Sequence, residues 1–394
     1  MPWQEYSVMD EKCRFVIGAL EEGANKSELC REFGISRPTG DKWISRYLSE
    51  GIDGLKEQSR RPKTSPCATA SEIVCEIIKI RNNRANWGGK KIRPILLKKF
   101  SQEQVPTSRT IDRILDRCGL THKRYRRPKK TISEKSDVIQ AQSCNHVWTV
   151  DFKGWWYTQD KKRCEPLTIR DEYSRFIIDI SALRYTHTDI VKDQFRKSFE
   201  KYGLPEYIRS DNGIPFATAT SLHGLSKLSV WWLRLGITPN RISPGCPQQN
   251  GAHERLHKDI KKELQSTPAR NIEQEQIRFD EWRTVFNNER VHEALGLITP
   301  SKCYEVSRRH YDCKEPAYQY PDYFDTRMIC SHGKFSWYGK RVFLTKALAG
   351  EQVGLKKCSQ NRYQLWYANF CLGEYDSDFS TLRNVTPKKL SAVI

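Results

Sequence analysis

No apolar run in this 394-residue chain approaches the roughly 20 residues that a membrane span needs, so no bilayer is expected among its partners. No signal peptide is expected at its start. Its 13 cysteines are odd in number and scattered, with no Cys-x-x-Cys pair, which favours reduced thiols in a cytoplasm over disulfides or a zinc ribbon. Acid is scarce. The chain has 47 Asp and Glu against 67 Lys and Arg, a net charge of +20 and a pI near 9.4, a balance that suits a polyanion such as DNA. The excess is clustered, since six of the eight residues at 123–130 are Lys or Arg. The length leaves room for about three domains.

Three acids stand in recognisable settings. A hydrophobic strand leads into Asp151 of Val147-Trp148-Thr149-Val150-Asp151-Phe152-Lys153-Gly154, and another into Asp211 of Ser210-Asp211-Asn212-Gly213. An Asn-Gly helix start leads into Glu254 of Gln248-Gln249-Asn250-Gly251-Ala252-His253-Glu254-Arg255. Carboxylates at strand ends and on a nearby helix suit hard divalent cations. Two such cations about 3.5–4 Å apart clamp both oxygens of an in-line phosphoryl displacement. Taken alone, Asp-Asn-Gly reads as a turn, because Asn and Gly accept positive φ and Asp bonds its own backbone. The three together point to a metal site.

These motifs closely resemble the DDE transposases of bacterial insertion sequences, the branch that shares its catalytic core with retroviral integrases. The likeness continues through Arg170-Asp171-Glu172-Tyr173-Ser174-Arg175-Phe176, Phe286-Asn287-Asn288-Glu289-Arg290-Val291-His292-Glu293-Ala294-Leu295 and Pro300, with Ile35-Ser36-Arg37-Pro38-Thr39-Gly40 near the N-terminus. It covers most of the chain. The resemblance implies an α/β catalytic core of ribonuclease-H-like type over 144–310, a mixed five-stranded sheet with helices that includes the core's C-terminal helices. It also implies that Asp151, Asp211 and Glu254 hold two Mg²⁺ or Mn²⁺ ions. The implied activity is binding of the element's terminal repeats, 3′-end cleavage and strand transfer into target DNA, by a homodimer or higher multimer on double-stranded DNA. The retroviral integrases' N-terminal His/Cys zinc module has no counterpart here. The stretch from Asp211 to Glu254 exceeds the family's usual spacing, and the surplus is expected at 217–226.

A helix-turn-helix is read at 1–56. Cys13, Val16, Ile17 and Leu20 mark one apolar face, Asn25 and Glu28 form a cap pair, and a third helix runs over 38–48. Trp43, Ile44 and Tyr47 would face inward, leaving Arg37, Thr39, Lys42 and Arg46 for a DNA groove. A basic linker follows at 57–70, where Arg60 and Arg61 suit a minor groove or a plain solvated linker equally. A second helical, winged-helix-like DNA-binding domain is expected at 71–122. Trp87-Gly88-Gly89-Lys90-Lys91 opens one of its helices, and Ile111, Ile114, Leu115 and Cys118 sign the last. A second basic linker spans 123–143.

Within the core, strands are read at 146–158, 165–170, 175–183, 206–209 and 237–242, and helices at 189–202, 224–235 and 251–265. Asp171 is given a turn role in the hairpin between the second and third strands. Short alternating runs punctuated by Gly333, Gly339 and Gly350 suggest a small β-barrel at 325–385, for DNA contact or for structure alone.

His253-Glu254-Arg255-Leu256-His257 also fits H-E-x-x-H, a zinc metalloprotease signature. At about 100° per residue, Leu256, Ile260 and Leu264 form an apolar stripe that contains His253 and borders His257. Glu254, Lys258 and Lys261 share the opposite face, where a carboxylate flanked by lysines suits a metal and a DNA phosphate. By resemblance, the lysine at 261 contacts the transposon end. A domesticated DNA-binding regulator is the non-enzymatic alternative, and it has no need of a repulsive acidic cluster.

Overall fold

The computed structural model describes residues 7–57, 68–121, 139–218, 221–243, 245–315, 317–376 and 382–383. The chain divides into two compact units, Met1–Ala68 and Thr69–Ile394. Arg60, Arg61 and the basic run at 123–130 lie outside the described residues.

The first unit is three helices: α1 Val8–Ala19, α2 Lys26–Glu32 and α3 Arg37–Glu50. Ser7 and Asp10 form a reciprocal cap at the start of α1, and the Asn25 side chain accepts from Ser27 N to start α2. The buried face of α1 is Phe15, Val16 and Ala19 rather than the expected Cys13–Val16–Ile17–Leu20 stripe, for Ile17 is 57 % and Leu20 45 % exposed. The helical period fits both faces, and the ring of Phe15, edge-on to Phe33 at 5.6 Å, fixes the rotation. Gly40 lets α3 approach closely, since a Cβ there would meet Cys30 Sγ at 2.7 Å and Phe15 Cζ at 2.8 Å.

The second unit begins with three further helices, α4 Ser71–Asn83, α5 Gly89–Leu96 and α6 Ser108–Arg117, around Ile77, Trp87, Ile92, Leu96 and Ile111. The described residues of 68–121 form three helices and no strand. Val285 of the core packs into this cluster, the Asn86 side chain donates to Glu263 at 2.9 Å, and Glu263 also accepts from Trp282 Nε1 at 2.6 Å.

The core sheet contains β1 Val147–Phe152, β2 Trp156–Tyr157, β3 Arg163–Asp171, β4 Ile177–Leu183, β5 Tyr207–Ser210 and β6 Thr238–Arg241. The main path runs β4-β3-β1-β5-β6. β3 is antiparallel to its neighbours β1 and β4, and β5 is parallel to both β1 and β6. The sheet is mixed, as expected, but has six strands rather than five once β2, paired with β3, is counted. The long first strand read at 146–158 breaks after Phe152, and β2 resumes its pairing with β3 one register out. On one face, α7 Thr188–Tyr202 and α8 Lys227–Arg234 cover Trp148, Val150, Leu167 and Ile169. On the other, α9 Gly251–Ile260 and α10 Ile272–Asn288 cover Cys164, Ile177 and Ile180 with Leu256, Ile260, Phe279 and Phe286. Each such side chain buried in full contributes about 1.5–3 kcal/mol. Lys261–Gln265 continues α9 as a wider π-helical turn.

The C-terminal segment corrects the barrel expectation. An antiparallel sheet ordered β13-β12-β11-β10-β7 is built from β7 Asp325–Met328, β10 Gln352–Ser359, β11 Arg362–Tyr367, β12 Phe370–Asp376 and β13 Leu382–Arg383. The hairpin of β8 Lys334–Trp337 and β9 Lys340–Phe343 stands as a separate two-stranded sheet. No pairing closes the strands into a ring among the described residues. The inner face is filled instead by Leu225, Val230 and Leu233 from the core, so the sheet is covered rather than closed.

Candidate active site

β1 and β5 lie side by side and parallel, with Thr149 opposite Arg209. Asp151 is the penultimate residue of β1 and Asp211 directly follows β5, so both carboxylates leave the same edge of the sheet. Open α/β sheets place ligands beyond the carboxyl ends of their strands. Glu254 stands in the first turn of α9, where the unpaired N–H groups of the helix favour an acid.

The three acids act on one another. Burial raises the Asp151 carboxyl to about 7, and the charge of Asp211, then that of Glu254, adds to it. Asp211 Oδ1 accepts from Gly213 N at 3.0 Å, the turn bond its sequence foretold, and a Cβ on Gly213 would sit 3.0 Å from Asp211 Oδ2. Glycine at 213 therefore keeps that carboxylate uncovered. Among the described residues no three His, Cys, Asp or Glu side chains converge closely enough to enclose a cation as they stand. The donor set nevertheless fits one. It is all oxygen, and the charges of Asp211 and Glu254 both bear on the buried Asp151 carboxyl, a setting that suits a hard divalent cation.

One nearby cation escaped sequence reasoning. Lys153, two residues beyond Asp151, has its ammonium lowered by burial and by the charge of Lys261, while Asp151 raises it. Lys153 and Lys261 thus flank the acidic edge together. Lys258 and Lys261 are exposed, as the helical phase required. The signal for Lys153 was its place in the Asp-Phe-Lys-Gly motif, but strand alternation puts 151 and 153 on one side only if the strand runs on straight.

The H-E-x-x-H histidines serve as fasteners. His253 is fully buried, with Nδ1 2.8 Å from Thr149 Oγ1 and Nε2 2.6 Å from Thr168 Oγ1. His257 Nε2 lies 2.8 Å from the same Thr168 Oγ1, which also donates to Asp151 O at 2.9 Å. Burial, then the charge of Lys153, lowers His257 to about 3. It is therefore neutral, and its 3.6 Å approach to Asp151 Oδ2 is neither an ion pair nor a hydrogen bond. His253 spends both ring nitrogens and His257 its Nε2 on strand hydroxyls, so the zinc protease reading is set aside.

Asp171 is fully buried and accepts from Asn145 N at 2.8 Å, Ser174 N at 2.8 Å and Ser174 Oγ at 2.6 Å, closing the β3–β4 hairpin. Within the stretch where surplus length was expected, residues 221–225 contact the C-terminal sheet. Ser221 Oγ meets Thr345 Oγ1 at 2.6 Å, His223 Nε2 meets Leu372 O at 2.6 Å, and Leu225 enters the core of the C-terminal sheet.

In the first unit, Trp43 and Ile44 are buried and Tyr47 is half-buried, leaving Arg37 and Lys42 exposed on α3. Thr39 is half-buried, its Oγ1 2.8 Å from Ser36 Oγ. Lys12, Lys42 and Arg46 lie 3.8, 4.6 and 5.3 Å from the centroid of the Trp43 ring, so one aromatic ring meets three cations.

Two family models described as integrase core domains match residues 141–247 and 235–300. A helix-turn-helix domain matches 14–63 and a homeodomain-like domain matches 39–115. A curated relative from Burkholderia multivorans (strain ATCC 17616 / 249), the "Insertion element IS407 uncharacterized 31.7 kDa protein", is 21% identical over 260 residues, 66% of this chain and 90% of the relative. Among solved structures, the HTLV-2 integrase catalytic core domain in complex with magnesium is similar at 18% identity and a TM-score of 0.33, covering 42% of this chain and 100% of that one. The simian T-cell lymphotropic virus intasome, in complex with PP2A regulatory subunit B56 gamma, gives 12% identity and a TM-score of 0.38 over 73% of this chain and 91% of that one. Likenesses at these scores carry no inference by themselves.

Proposed function

Because the chain belongs to the insertion-sequence transposases that join helix-turn-helix and integrase core domains, we propose that it binds the terminal repeats of its element, cleaves their 3′ ends and transfers them into target DNA. The observation that carries the reading is the placement of Asp151 and Asp211 at the carboxyl ends of the adjacent parallel strands β1 and β5, with the charges of Asp211 and Glu254 both helping to raise the Asp151 carboxyl. These three would hold two Mg²⁺ or Mn²⁺ ions, whose chemistry is to stabilise the attacking and leaving oxygens of an in-line displacement.

The remaining work falls to the chain itself. Lys153, Lys258 and Lys261 offer phosphate contacts beside the acids, and such contacts position a strand without reading it. His253, His257 and Thr168 fasten α9, the helix that carries Glu254, to β1 and β3. Arg37, Thr39, Lys42 and Arg46 on α3 are the candidates for base-edge readout. In the first reaction water attacks the phosphodiester at the element's end and leaves a 3′-hydroxyl. In the second that hydroxyl attacks a target phosphodiester, forming one phosphorus–oxygen bond while the target's own O3′ departs. Joining two ends in concert calls for a dimer or higher multimer on DNA.

The test is end cleavage and strand transfer by purified Asp151→Asn and Glu254→Gln in Mg²⁺, alongside binding to terminal duplex. Both activities should fall by at least about a thousandfold with binding retained. Undiminished cleavage by either variant would sink the mechanism.

A further inference from the structure

The Phe286–Leu295 motif leaves a cavity of about 270 Å³ at the junction of α5, the start of α9 and the end of α10. Six cations line it: Lys90, Lys91, Arg170, Arg175, Arg255 and Arg290. Its two acids are already engaged. Asp259 pairs with Arg290 and lies 3.8 Å from Arg255, and Glu293 takes Lys90 at 2.7 Å.

Two of the cations are deeply placed and keep unmatched N–H groups, Arg290 in spite of its pair with Asp259. Arg170 is 2 % exposed and donates once, to Ala252 O at 2.8 Å, while its Nε and Nη2 find no acceptor. Arg290 is 5 % exposed, and its Nε is also unmatched, as is His292 Nε2. Guanidinium groups buried with idle donors are unfavourable unless an anion meets them. The surrounding groups register the same excess. Burial and then Arg290 lower Lys91 to about 8. Burial, followed by Arg290, Arg175, Lys91 and Arg170, holds His292 at about 3.

We propose that this cavity binds an oxyanion of the phosphate class, with Arg170 and Arg290 as its buried donors and Lys91 and Arg175 as its flanking charges. Planar guanidinium forks match a tetrahedral oxyanion, and a half-buried setting strengthens each bond. The anion is either a backbone phosphate of bound DNA or a free phosphate ion. In both cases it would tie the second helical domain, through Lys91, to the core.

Arg170 is too deeply buried to replace without disturbing the sheet, so the test uses Arg175→Gln and Lys91→Gln, with Lys91→Arg as the charge-preserving control. Inorganic phosphate is titrated into the full chain at constant ionic strength against chloride, with melting temperature and heat as readouts. A saturable stabilisation is expected. Each Gln variant should weaken it on the order of tenfold, and Lys91→Arg should restore it. Absence of any phosphate effect beyond chloride, or equal effects in wild type and both Gln variants, overturns the proposal. A short duplex then identifies the source. If the salt dependence of DNA binding loses about one counterion in the Gln variants, the phosphate is the strand's; an unchanged slope assigns the site to the free ion. Phosphate titration reads this cavity whether or not the chain cuts DNA.

Discussion

The chain contains two three-helix domains of similar size that are used in opposite ways. The first closes its core within residues 7–57 and turns α3 outward, with cations ordered over Trp43. The second cannot be separated so cleanly, since Val285 completes its core and Asn86, Arg84 and Lys90 reach Glu263, Glu289 and Glu293 of the catalytic core. On the proposed function the first would read DNA, whereas the second is bound into the core. The difference lies in which groups are left unmatched, not in helix count.

Truncation breaks this comparison most forcefully. Removing residues 1–57 should leave the melting temperature of the remainder within about 2 °C, while binding to terminal repeats falls roughly a thousandfold toward the non-specific level. Extending the deletion through 121 uncovers Val285 and Glu263 and should lower the melting temperature by roughly 5 °C or more. Calorimetry and gel shifts on both truncations decide it, and equal thermal effects would erase the distinction.

Point changes sharpen it. Glu263→Ala leaves the Asn86 and Trp282 N–H donors without an acceptor, a cost of about 1–3 kcal/mol that denaturant unfolding of the full chain would register. Arg37→Ala and Lys42→Ala should each weaken terminal-repeat binding by about 1–3 kcal/mol while sparing random duplex, and equal losses on both DNAs would remove α3 as the reading helix. Arg84→Ala sits at the bottom of the scale. Its 3.4 Å pair with Glu289 is substantially exposed, so the melting temperature should stay within about 1 °C.

Legibility in the sequence followed the range of the forces involved. The strands and helix that carry Asp151, Asp211 and Glu254 were readable because β-branched runs and caps are local signals. The inward turn of His253 was readable from Leu256, Ile260 and Leu264 alone. The rotation of α1 was not, because Phe15 and Ile17 satisfy the same period and only contact with Phe33 chooses between them. The break after Phe152 hid Lys153. The contacts of Ser221 with Thr345 and of His223 with Leu372 join residues more than a hundred positions apart, which no local pattern encodes. The closed barrel failed for the same reason: alternation shows which side chains face inward, not whether a neighbouring helix supplies the missing cover.

The central claim is that Asp151, Asp211 and Glu254 form one cation site while His257 is a fastener. Titrating Mn²⁺ into the purified full chain, read by electron paramagnetic resonance, tests it directly. Wild-type protein and His257→Ala should bind Mn²⁺ comparably, and Asp151→Asn, Asp211→Asn and Glu254→Gln should each lose at least about tenfold in affinity. Mn²⁺ binding indifferent to all three acids, or stoichiometric zinc that disappears with His257→Ala, would contradict the account.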